Sequence, residues 1–72
     1  MKQYYQEMNQ VLKALLAGEH DMIANLSNAA ALLYQYLPDI NWAGFYLWKN
    51  NELVLGPFQG KVACMHIPYG KG

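Results

Sequence analysis

Residues 41–60 read NWAGFYLWKNNELVLGPFQG, and the fold turns on this stretch. From Trp42 to about Trp48 every position is apolar or aromatic, with Trp42, Gly44, Tyr46 and Trp48 on one side of a strand pleat and Ala43, Phe45 and Leu47 on the other. A strand with no polar side is one that is covered on both faces. Asn50-Asn51 follows, and asparagine tolerates the left-handed backbone that a two-residue hairpin turn demands. ELVLGPFQG then reads as the returning antiparallel strand, over about 53–59, limited by Pro57 because proline has no N–H to give to a ladder.

Downstream, ACMHIP is expected to form a third strand or extended segment over about 63–67, with YGKG as a turn leading out of it. Upstream, Tyr4, Tyr5, Met8, Val11, Leu12, Leu15 and Leu16 recur at spacings of three and four and predict a helix over about 3–17, stopped by Gly18. A second helix is expected over about 21–37. Asp21 is placed to accept from the free amides of its first turn, Met22, Ile23, Leu26, Ala30, Leu33 and Leu37 lie on one face, and Pro38 ends it. The small residues of NAAALL permit close packing on a helix or sheet. The chain is therefore of the α/β class in its α+β form, two helices followed by antiparallel strands. Two or three strands with apolar residues on both faces make a poor sheet alone, so further strands and at least one covering helix are expected from outside this sequence.

Composition points the same way. The 72 residues are 54% hydrophobic and only 14% charged, against roughly 25% charged in an average domain. A chain of this length buries only about 60% of its unfolded surface, and here there is little polar surface to cover the remainder. Five lysines balance five acids and arginine is absent; with no basic run or stripe, nucleic acid is not an expected partner. The longest uncharged run, Met22 to Pro38, is interrupted by Asn25, Ser27, Asn28 and Gln35, too polar to span a membrane. The N-terminus has no apolar signal-peptide core. One cysteine excludes an intrachain disulfide framework, and the cytoplasm is the default compartment.

Cys64 can be read as a buried small hydrophobe, the commoner fate of a free cysteine, or as a reactive thiol, since Lys61 and His66 are close in sequence and could favour the thiolate. In a strand, His66 at i+2 would share a face with Cys64. Two such residues do not make a metal site, and His20 is too distant in sequence to join them. Trp42, Tyr46 and Trp48 are either ordinary aromatic core or the wall of a small-molecule pocket. The terminal GKG lacks the length, the hydroxyl residue and the helix of a phosphate loop.

Taken in order, LLAGEHDMIANLSNAAALLYQYLPDINWAGFYLW and ELVLGPFQGKVACMHIPYGKG closely resemble the N-terminal half of the free methionine-(R)-sulfoxide reductases, a branch of the GAF-domain fold. The likeness starts at about Leu15, and its most specific parts are INWAGFY, LVLGPFQGK and AC followed by IPYGKG. It implies that residues 1–72 are the N-terminal part of a single GAF domain roughly twice this length, with a six-stranded antiparallel sheet flanked by helices. It implies two further cysteines, in a Val-Cys-Gly segment directly after Gly72 and in a later Ala-Cys-Asp segment.

By the same resemblance the last cysteine attacks the sulfoxide, and Cys64 matches the first, the resolving partner that condenses with the sulfenic acid before a thioredoxin-type reductant restores both. Trp42 and Tyr46 match the aromatic residues around the substrate's methyl sulfoxide end, with Gly44 leaving room between the rings. No cofactor is implied, and the partners implied are free methionine sulfoxide, thioredoxin, and either a second copy or the missing C-terminal half. Without the nucleophile, the chain alone is expected to be inactive. Truncation, proteolysis, an early stop or a site divided between two chains would each account for its length. Two rival readings are a GAF-type sensory module that binds a small molecule without chemistry, and a helical-hairpin interaction domain that pairs its strands with a partner's sheet edge.

Overall fold

A computed structural model describes residues 2–70; the Gly-Lys-Gly end of the expected terminal turn lies mostly outside them. The element order is α1 (Lys2–Leu16), α2 (Met22–Tyr36), β1 (Trp42–Lys49), β2 (Glu52–Gly60) and β3 (His66–Pro68).

Local chemistry explains the boundaries. Gly18 takes φ +79°, a conformation that terminates α1 without the steric penalty a side chain would meet. The link to α2 is a small hydrogen-bonded knot: the Asp21 N–H donates to Glu19 Oε2 (2.9 Å), Asn25 Nδ2 donates to the Glu19 carbonyl (3.0 Å), and Asp21 Oδ1 accepts from the Ala24 N–H (2.8 Å). Asp21 thereby satisfies one of the orphan amides of the first turn. At the other end Leu37 is already extended, with ψ 126°, while its N–H still bonds the Leu33 carbonyl. Steric conflict with the Pro38 ring drives the residue before it out of the helical region.

The three strands form one antiparallel sheet in the order β1-β2-β3. Asn50 and Asn51 have φ 51° and 62°, the paired left-handed conformation whose twist matches a tight hairpin, and Lys49 faces Glu52 across the turn. From there the register runs in step to Tyr46 opposite Leu55, then shifts, so that Gly44 faces Phe58 and Phe45 is opposed by both Gly56 and Pro57. This is a β-bulge on β2. The strand expected over about 53–59 spans Glu52–Gly60, and Pro57 is accommodated within it at the bulge, where no ladder hydrogen is required.

The third strand is shorter and later than expected. β3 has three residues, His66–Pro68, and Lys61–Met65 is irregular, so Cys64 stands in a loop and not on a strand. Glycine at position 60 with φ +127° turns the chain out of the ladder, and Pro68 closes the strand.

α2 lies across β1 and β2, and α1 packs on α2. Met8, Ala30 and Leu32 are the buried hydrophobic residues among those described. The sheet residues are at most half-buried, and Tyr5, Leu15, Met22, Ile23, Trp48 and Tyr69 are all exposed. The accessible surface is 5610 Å² for an 8.2 kDa chain, whereas a compact chain of this mass exposes about 4500 Å². The radius of gyration, 13.9 Å, likewise exceeds the ~11 Å of a compact chain this long. One helical layer on one face of a small sheet leaves much apolar surface without a cover.

Candidate functional site

The bulge builds the aromatic face. Without it, the register set at the turn would place Phe58 opposite Ala43, on the other side of the sheet from Trp42. The extra residue on β2 swings Phe58 round to face Gly44. Trp42 then stacks on Phe58 with ring centroids 5.6 Å apart and planes at 14°, and on Tyr46 at 6.2 Å and 25°. Such offset stacks contribute about 0.5–1.5 kcal/mol beyond the area they bury. Gly44 sits directly beneath: a Cβ there would lie 2.8 Å from Trp42 Cη2 and 2.9 Å from Phe58 Cα. Only a glycine lets the indole lie flat along β1 between its two neighbours.

Trp42 Nε1 is buried and has no hydrogen-bond partner among the described residues. Trp48, which the pleat places on the same face, is not in this stack; it meets the Tyr69 ring edge-on at 6.0 Å. The face is open, and no enclosed cavity forms among the described residues.

Cys64 is a free, exposed thiol. Its loop is tied to the sheet by two bonds made by successive carbonyls: the Tyr46 hydroxyl donates to the Cys64 carbonyl (2.8 Å), and the Leu55 N–H donates to the Met65 carbonyl (2.9 Å). Tyr46 and Leu55 are themselves opposite one another in the β1–β2 ladder. The structure therefore brings Trp42, Tyr46 and the Cys64 backbone together, and adds Phe58.

It does not bring His66 to them. His66 faces Val54, which faces Leu47, on the side of the sheet opposite Tyr46 and Trp48, and its Nδ1 lies 3.1 Å from Glu52 Oε2. The shared face expected for Cys64 and His66 is lost because Cys64 precedes the strand. Among the described residues no three of His, Cys, Asp and Glu are grouped to hold a metal ion. The residue missed from sequence was Phe58. Its signal was the Gly56-Pro57 pair in mid-strand, a combination that belongs at bulges and kinks.

No protein-family model matches the chain. It is 56% identical over 70 residues to the free methionine-R-sulfoxide reductase of Escherichia coli K12, an alignment covering 97% of this chain and 42% of that protein. The structure of the fRMsr of Staphylococcus aureus in complex with substrate superimposes with a TM-score of 0.90 at 54% identity, over 94% of this chain and 44% of that one. A solved structure described as the GAF domain gives 0.85 at 44% identity, over 99% and 44% of the respective chains. The chain spans less than half the length of each of these relatives. Its helices followed by an antiparallel sheet match the GAF-type arrangement of those structures, and over nearly all of its length the chain is a close homologue of the free methionine-R-sulfoxide reductases.

Proposed function

We propose that this chain forms the N-terminal part of a single GAF domain that reduces free L-methionine (R)-S-oxide to methionine. The reading rests on one observation above the others: the Trp42–Tyr46 aromatic face and the backbone of the only cysteine are joined by a hydrogen bond, in a chain homologous to reductases of that substrate.

In this reading Trp42 and Tyr46 receive the methyl sulfoxide end of the substrate, and Cys64 is the resolving cysteine. A thiolate from the polypeptide corresponding to the unmatched part of the relatives attacks the sulfoxide sulfur. With one proton taken up, the oxygen passes to the cysteine as a sulfenic acid and methionine departs. The Cys64 thiol then displaces hydroxide from the sulfenic sulfur, forming a disulfide and water. A thioredoxin-type dithiol reduces that disulfide and is itself oxidised. Every electron comes from the dithiol, so no bound cofactor is required. Residues 1–72 alone lack the attacking thiol and are inactive by themselves. The protein works in the cytoplasm, where thiols are kept reduced.

A second reading, a small-molecule-binding sensory module, is supported by the open aromatic face of Trp42, Tyr46 and Phe58, which offers a small molecule a stacking surface without any thiol taking part. Release of methionine from free (R)-sulfoxide, measured with a thioredoxin system for the chain alone and for the chain combined with a complementing polypeptide, separates the two. The reductase reading expects turnover in the combined sample only, and with Cys64→Ser a first equivalent of methionine without the continued turnover that needs the disulfide. Saturable binding of the sulfoxide with no methionine formed in the combined sample would leave the sensory module standing.

A further inference from the structure

The geometry points to Tyr46 as the positioning residue for Cys64, a role that rests on the reductase reading but differs from contact with substrate. The Lys61–Met65 loop has little of its own to hold it: it is irregular, Val62 is 95% exposed and Met65 70% exposed. Of its two attachments, the Leu55–Met65 bond is made by backbone alone. The other is made by a single side chain from a residue 18 positions earlier.

That side chain is itself fixed. The Tyr46 ring is stacked on Trp42, which is stacked on Phe58 and backed by Gly44. The phenol oxygen therefore projects from a rigid base, and its position sets where the Cys64 peptide lies. The hydrogen bond reaches the carbonyl of the cysteine itself, one backbone bond from the Cα that carries the thiol. One residue thus presents its ring to the aromatic face and its hydroxyl to the cysteine. Closure of a disulfide needs Cα atoms about 5.5 Å apart, and the rate of such an intramolecular step depends steeply on how well the partners are held.

Tyr46→Phe removes the hydroxyl and keeps the ring. The test compares it with the parent and with Tyr34→Phe, an exposed tyrosine on α2, in the protein with its complementing polypeptide in place. Single turnover is followed by methionine release and by the mass change of disulfide formation, alongside amide hydrogen exchange of Val62–Met65. The expected result for Tyr46→Phe is faster exchange in that loop and disulfide closure slowed about tenfold or more, a loss larger than any change in KM or in the methionine burst that comes from the residue's contact with substrate. Tyr34→Phe should match the parent in all four.

Unchanged exchange and unchanged disulfide closure would overturn the assignment. So would a raised KM without slower closure, since Tyr46 would then act on substrate alone. If the parent releases no methionine, the reductase reading fails on its own, and the exchange comparison still decides whether Tyr46 holds the Cys64 loop.

Discussion

At Gly44 the limiting quantity is space. A methyl group there would press on the Phe58 backbone and the Trp42 ring at once, and backbone has no rotamer with which to retreat. Gly44→Ala should destabilise the chain by about 1–3 kcal/mol, the range for overpacking, seen as a lower urea midpoint with the slope unchanged; a midpoint equal to the parent's would mean that the aromatic stack yields to a methyl group at no cost. Tyr46 is the opposite kind of residue, since its ring tolerates phenylalanine and only its hydroxyl is specific. His66 and Glu52 form a pair in which the imidazole is more than half exposed, and such pairs contribute little to stability.

Among the elements, α2 carries the most structure for its length, being the one helix that touches the sheet. Its start depends on a single carboxylate. Asp21→Ala should lower thermal stability by about 1 kcal/mol, and Asp21→Asn by much less because asparagine also caps well; circular dichroism melts would show the difference, and equal melts for both would deny the cap its role. The hairpin shows how much a bulge can do. One extra residue, at Gly56-Pro57, changes which face carries Phe58 and leaves the alternation of β1 untouched. β1 itself has a free edge over eight residues with one charge at its end, whereas β3 is short and contains Pro68, the usual guards of a sheet margin. The composition of β1 is that of an interior strand.

For the whole molecule the surplus surface dominates. An accessible area roughly 1100 Å² above that of a compact chain, much of it from aromatic and long aliphatic side chains, is enough for a specific interface. The isolated chain should therefore self-associate at micromolar concentration, giving a weight-average mass above 8.2 kDa in sedimentation equilibrium. Addition of the polypeptide that completes the domain should replace those species with one defined complex in which the free-edge amides of β1 become protected from exchange. A sharp 8.2 kDa monomer with a cooperative melt would show instead that the chain needs no cover.

Local chemistry was enough, read from the sequence, to place the α2 cap at Asp21, the stop at Gly18, the helix end before Pro38 and the turn at Asn50-Asn51, because each depends on the backbone preferences of one or two residues. The same holds for the apolar surplus, which follows from composition. What only the tertiary structure decided was the set of neighbours. The bulge put Phe58 beside Trp42, the early exit at Gly60 took Cys64 off the strand, His66 fell on the far face, and the Tyr46 hydroxyl met a carbonyl 18 residues away. Strand side chains alternate with a period of two, so a one-residue change in pairing reverses every face, and pairing is a property of two strands together that neither one carries alone.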